Sequence, residues 1–316
     1  MTLEQYLNAL ADNGRPLSNT ELISLSDMTT EGLDLLRNVW PDVDAERRED
    51  VLRRLIGLSE DNLDADFNDL FRFCLNDENP EVKAKAIEGL WECDNRTLLT
   101  PLTSLLEQDL SEQVRVAAAL ALGKFAVLSE NGKMLSKDGE RVKDSLMQAI
   151  ENTEESQEVR RRAIESVAPF NTPEVQEIIQ GAYESDQFEM KCSAVYAMGK
   201  SCDPQWLPII LAELRNPHAA MRYEASNACG ELGDEPAVPH LIPLFDDDDH
   251  QAQQSAISAV GAIGGSLARK ALLHCLKSSD ELAVEAAHEA LGNLEDGDKS
   301  LGFTSDVYPH SFRQPR

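Results

Sequence analysis

Aromatic side chains make up only 5% of this 316-residue chain, while apolar residues reach 42%. Burial therefore rests on aliphatic side chains and alanine, which suits close helix stacking. Cations are also scarce. The 29 Lys and Arg face 57 Asp and Glu, a formal net charge of −28. Nucleic-acid affinity leans on clustered Lys and Arg, so no nucleic-acid partner is expected. No apolar run approaches the roughly 18 residues of a spanning helix, so no membrane partner is expected either. The opening Met1-Thr2-Leu3-Glu4 is acidic and no apolar stretch follows, which reads as a cytoplasmic chain without a signal peptide. The six cysteines form no CxxC pair, and several fall on apolar stripes, as reduced core cysteines do. There is no phosphate loop, no HExxH, no GxSxG and no dinucleotide fingerprint.

What the chain has instead is a repeat. The phrase from Met190 to Gly199 returns at Met221 to Gly230, Ala252 to Gly261 and Ala283 to Gly292, 31 residues apart. Upstream it starts at Val82, Val114 and Val159, at spacings of 32 and 45. A fixed period of this size means stacked supersecondary units. Four residues after each start stands an alanine: Ala86, Ala118, Ala163, Ala194, Ala225, Ala256 and Ala287. An invariant small residue lets a neighbouring helix approach closely. Eight residues after the start come Leu90, Leu122, Val167, Met198, Cys229, Val260 and Leu291. Start, fourth and eighth positions share one helix face, so the phrase predicts a short helix with a buried stripe. Gly123, Gly199, Gly230, Gly261 and Gly292 close it, as glycine does just past a helix end. A second helix precedes each phrase, as from Gln205 to Leu214, Ala237 to Phe245 and Leu267 to Leu276.

Two further columns carry charge. Five residues before each start stands Asp77, Asp109, Glu154, Ser185, Asn216, Asp247 or Ser278, and one residue after it Lys83, Arg115, Arg160, Lys191 or Arg222. With acceptor turn, basic residue, alanine and glycine, the chain resembles HEAT repeats of the armadillo-like class over about residues 63–294. Its short period is similar to the compact variant named after phycobilisome lyases. The resemblance implies an all-α fold, a solenoid of about seven to eight antiparallel helix pairs in a HEAT-like superhelix. It also implies that Lys83, Arg115, Arg160, Lys191 and Arg222 pair with the acceptor column as a structural ladder between units. Residues 1–62 read as a helical N-terminal cap with a degenerate repeat, 63–295 as the solenoid and 296–316 as a flexible tail. The longest period places an insertion near 124–139, its excess at Ser129 to Lys133.

Two candidate sites for chemistry fail on their surroundings. Asp246-Asp247-Asp248-Asp249 lacks the spaced ligands and glycine of a calcium loop and includes a helix N-cap, so it reads as a solvated turn. His288-Glu289 invites comparison with the deoxyhypusine hydroxylase family, which holds iron through His-Glu pairs just before the repeat's alanine. Here those positions carry Cys192-Ser193, Tyr223-Glu224 and Gln254-Ser255, and the lone pair follows the alanine. No metal and no cofactor are expected. The positions two and six after each start point off the buried stripe, and the family places this helix on a concave side. Their central members, Val116, Leu120, Arg161, Tyr196 and Tyr223, are the candidate partner-binding residues, unless helix curvature or the 124–139 insertion buries them. The expected function is a non-catalytic scaffold or adaptor binding another protein. The alternative is an enzyme of the HEAT-like class, handling a bilin as lyases do or an iron-dependent hydroxylase.

Overall fold

Every alanine of the repeat column, from Ala86 to Ala287, has zero exposure in the computed structural model, which describes residues 3–62 and 64–305, with side chains through 294. The residues at the start of each phrase and eight later are buried beside them, so each phrase is a helix with one apolar stripe. Among the described residues the regular structure is entirely helical. No helix among them is long and apolar enough to cross a membrane. The chain divides into two compact units, Met1–Phe170 and Asn171–Arg316. The fold is an all-α solenoid of helix pairs.

The first unit opens with α1 (Leu3–Leu10) and the single turn α2 (Asn19–Leu22), followed by four pairs: α3 (Thr30–Val39) with α4 (Ala45–Asp61), α5 (Asn68–Cys74) with α6 (Pro80–Gly89), α7 (Leu99–Gln108) with α8 (Glu112–Glu130), and α9 (Ser136–Glu151) with α10 (Gln157–Val167). The second helices α4, α6, α8 and α10 pack in succession. The insertion expected near 124–139 lengthens helices rather than a loop. Helix α8 continues through Glu130 because Phe125 and Ala126 keep its stripe buried. Gly139 lets α9 start against it: an added Cβ would lie 2.0 Å from the Ser129 hydroxyl.

The second unit has four pairs as well: α11 (Pro173–Tyr183) with α12 (Phe188–Lys200), α13 (Leu207–Glu213) with α14 (Ala219–Leu232), α15 (Val238–Leu241) with α16 (His250–Ile263), and α17 (Gly265–Cys275) with α18 (Glu281–Ser305). Helix α15 is short because Pro243 cannot donate to an α-turn, and residues Ile242–Asp246 tighten into a 3-10 turn. Helix α18 reaches Ser305, past the expected boundary at 295/296; Gly297 and Gly302 each cost a helix only about 1 kcal/mol. The rest of the expected tail, 306–316, lies outside the described residues.

The glycine column does something other than end helices. Gly123, Gly199, Gly230 and Gly261 all lie inside their helices. An added Cβ at Gly199 would sit 2.6 Å from the Ala228 Cα, and one at Gly261 2.6 Å from the Ala290 Cβ. Gly123 and Gly230 meet Ser166 and Ala259 in the same way. Each contact falls on the next second helix, seven residues after its phrase begins. These glycines therefore set the approach of successive repeats. The residue that ends α14 is Gly233, left-handed at φ 68°.

Charge links the turns. Lys83 pairs with Asp109. Arg115 grips Glu155 through Nε and Nη2 at 2.9 and 2.8 Å. Arg222 holds Asp247 through Nε and Nη2, both at 2.6 Å, and also donates to the Asn216 carbonyl at 2.9 Å. The hydrogen bond from Arg222 is the main cause that lowers the Asp247 pKa, against the pull of burial. Gln253 reaches Asp280 at 3.0 Å. Two rungs differ from the expected pattern. Arg160 donates to the Ile150 carbonyl of its own repeat at 3.0 Å, and among the described residues no carboxylate lies within ion-pair distance of Lys191. A further rung stands upstream: Arg48 on α4 meets Asp77 at 2.9 Å with both side chains buried.

Candidate functional site

Two repeats depart from the glycine column, with Trp91 and Ala168, and a groove opens at the first. Nine residues after Val82, the position that glycine holds in five of the seven phrases is Trp91. Helix α6 begins firmly, with Asn79 accepting from the Val82 amide at 3.1 Å and Pro80 in the first turn. Its last residue is Gly89, where glycine leaves room for the Phe71 ring: an added Cβ would lie 2.5 Å from it. That contact seats the last turn of α6 on α5. The chain then turns outward and leaves the Trp91 side chain 56% exposed. Across from it, α8 presents Ala121, at the position that meets glycine in other repeats. Trp91 and Ala121 both line one cavity.

The result is a cavity of about 1070 Å³ in the first unit, bounded by α6, α8 and the segment after Gly89. Leu98, Leu102 and Phe125 form a floor that is almost fully buried. Trp91, Val116 and Leu120 form the walls, with Leu120 47% exposed. Two of the five sequence candidates, Val116 and Leu120, therefore line it. Trp91 escaped the sequence reading, although its signal was present as the lone tryptophan in a glycine column.

Polar groups lie at the rim. Lys124 donates to the carbonyls of Leu90, Trp91 and Cys93 at 3.3, 2.8 and 2.7 Å, closing the C-terminal end of α6. Burial lowers its pKa, against the opposing pull of Asp94. Lys85 is paired with Glu88 at 2.6 Å. Lys124 also lies 3.5 Å from Asp94, so both cations are paired, and the exposed side of each pair is its carboxylate; Glu92 is exposed as well.

The remaining candidates stand apart from this groove. Arg161, on α10, bonds Glu158 one turn earlier at 2.7 Å. In the second unit, Tyr196 lines a smaller cavity of about 550 Å³ with Lys200, Asn227, Glu231 and Ser258. Its mouth carries an ion pair, Lys200 to Glu231 at 2.5 Å, and the Lys200 ammonium lies 5.6 Å from the Tyr196 ring centroid. Tyr223, on α14, is 38% exposed and does not line that cavity. The acidic turn is occupied by structural work: Asp247 holds Arg222, and Asp249 accepts from the Gln251 and Ala252 amides, both at 3.0 Å. Among the described residues no cluster of three or more His, Cys, Asp or Glu is placed to hold a metal ion.

Comparison with known proteins bears on the fold. A solved complex of CpcE and CpcF of phycocyanin lyase from Nostoc aligns with 90% of this chain and 97% of that one, at 16% identity and a TM-score of 0.52. Human deoxyhypusine hydroxylase in complex with glycerol aligns over 93% of this chain and 97% of that one, at 17% identity and a TM-score of 0.37. At such identities the likeness is one of fold alone. No curated protein matches the chain. The model for HEAT repeats matches residues 68–150, 175–261 and 207–292, more than half of the sequence. By its alanine column, its glycine contacts and this match, the chain belongs to the HEAT-repeat family.

Proposed function

We propose that the protein is a non-catalytic scaffold that binds another protein, and that the α6–α8 groove of the first unit is where the partner docks. The observation that carries this reading is the groove itself: an open apolar cavity with an exposed tryptophan and leucine, rimmed by charge. Such patches mark interaction surfaces, and tryptophan is a favoured anchor in them. The experiment is affinity capture from the native cell with the wild-type chain and with Trp91→Ala plus Leu120→Ala. Truncating a hot-spot residue costs about 2 kcal/mol or more, roughly thirtyfold in affinity, so the double variant is expected to lose the partner. Both side chains are largely solvated, so helicity and melting should stay near wild type. Retention of the same partner by a folded double variant would overturn the assignment. The enzymatic alternative separates cleanly, by metal analysis of the purified protein and an absorption spectrum after incubation with a bilin.

A further inference from the structure

We infer that the occupant of the α6–α8 groove is a basic amphipathic helix of the partner protein. Its apolar stripe would lie against Trp91 and Leu120, and its Lys or Arg side chains would face Glu88, Glu92 and Asp94. This rests on reading the groove as the partner site and adds the partner's chemistry.

The interior of the groove selects for apolar groups. Its floor is Leu98, Leu102 and Phe125, and its charged groups stand only at the rim. A small polar ligand needs a few convergent donors or acceptors inside its pocket. Lys124, the nearest cation, already donates to three carbonyls. The walls select for a helix. They are themselves helices, with no strand edge for an extended peptide to pair with. Such a peptide would leave its own amides and carbonyls against an apolar surface, whereas a helix satisfies them internally.

The rim selects for positive charge. Glu88 and Asp94 pair with Lys85 at 2.6 Å and Lys124 at 3.5 Å, yet their side chains stay 56% and 61% exposed, against 26% and 27% for the two lysines, so the carboxylates are the side of each pair open to a partner. Among the described residues no cation lies within ion-pair distance of Glu92. The chain's net charge of −28 reinforces the same preference at longer range. It also disfavours a second copy of this chain as the occupant.

The probe is a short fluorescent peptide of leucine and lysine only, with its leucines at helical spacing. One control has the same composition scrambled to destroy the stripe, and another carries glutamate in place of lysine. The Leu-Lys peptide is expected to bind the full chain at least about tenfold more tightly than either control. Trp91→Ala plus Leu120→Ala should weaken it roughly thirtyfold. Glu88→Lys plus Glu92→Lys, on exposed side chains that leave folding intact, should weaken it at low salt. That second effect should fade near 1 M salt, where the Debye length falls to about 3 Å. Equal binding of the scrambled peptide, equal binding of the Leu-Glu peptide, or indifference to both variants would each overturn the inference. Loss of the cellular partner by the Trp91 and Leu120 variant, with no Leu-Lys binding by wild type, would leave the groove as a partner site and remove only the basic helix. Capture that survives that variant would instead remove the groove assignment itself.

Discussion

Arg48→Ala is expected to destabilise the first unit by about 3–5 kcal/mol, the cost of leaving one member of a buried ion pair alone. Asp77 is almost wholly buried, and its carboxylate accepts from Arg48 Nη1 at 2.9 Å and from the Trp40 indole at 2.7 Å. The Asn79 amide donates to its other oxygen at 2.9 Å. Without Arg48 the carboxylate keeps two donors but no countercharge, in a site that water reaches poorly. Since whole domains are stable by only about 5–15 kcal/mol, the loss is large. Arg48→Met combined with Asp77→Leu removes both charges and should recover most of it. Denaturant unfolding of the wild type and these variants measures both effects. An Arg48→Ala chain that unfolds at the wild-type midpoint would show that the pair carries no weight in the fold.

The second large effect is a reversal of sign within one column. Gly199→Ala places a methyl group 2.6 Å from the Ala228 Cα. Backbone cannot yield there as a flexible side chain would, and overpacking of this kind costs about 1–3 kcal/mol. Gly292 occupies the same place in the last repeat, but nothing lies within 4 Å of its added Cβ. In that helix interior alanine is favoured over glycine by about 0.5–1 kcal/mol. Gly199→Ala should therefore lower the unfolding midpoint and Gly292→Ala raise it. If both substitutions shift the midpoint the same way, the close-approach account of the column is wrong.

These cases show where the sequence was legible. The alanine column could be read because its register never varies, from Ala86 to Ala287, and one small residue at fixed phase has one physical use. The glycines were visible too, but a list of positions carries no neighbours. Their contact with Ala228, Ala259 or Ala290 needs a second helix seven residues into the next phrase. In the charged columns some acceptors stand one or two residues from the positions that the spacing marks. Arg115 bonds Glu155 rather than Glu154, and Gln253 bonds Asp280 rather than Ser278, because turns of different length shift the acceptor. Arg48 was hidden by its spacing of 34 residues or more from the next phrase and by the cap reading of residues 1–62. At the candidate site, Val116 and Leu120 followed from their phase on α8. Trp91 was not legible by phase, because its column is defined by glycine and gives no sign of what a large ring there would do.

The most direct measurement places a photo-crosslinking residue at one of two exposed leucines in turn. Leu120 lines the groove, whereas Leu110, 99% exposed in the turn between α7 and α8, lies outside its lining. Both are apolar and open to solvent, so mere stickiness would mark them alike. The account predicts a partner adduct from position 120 and none from position 110. An adduct from 110 with none from 120 would contradict it.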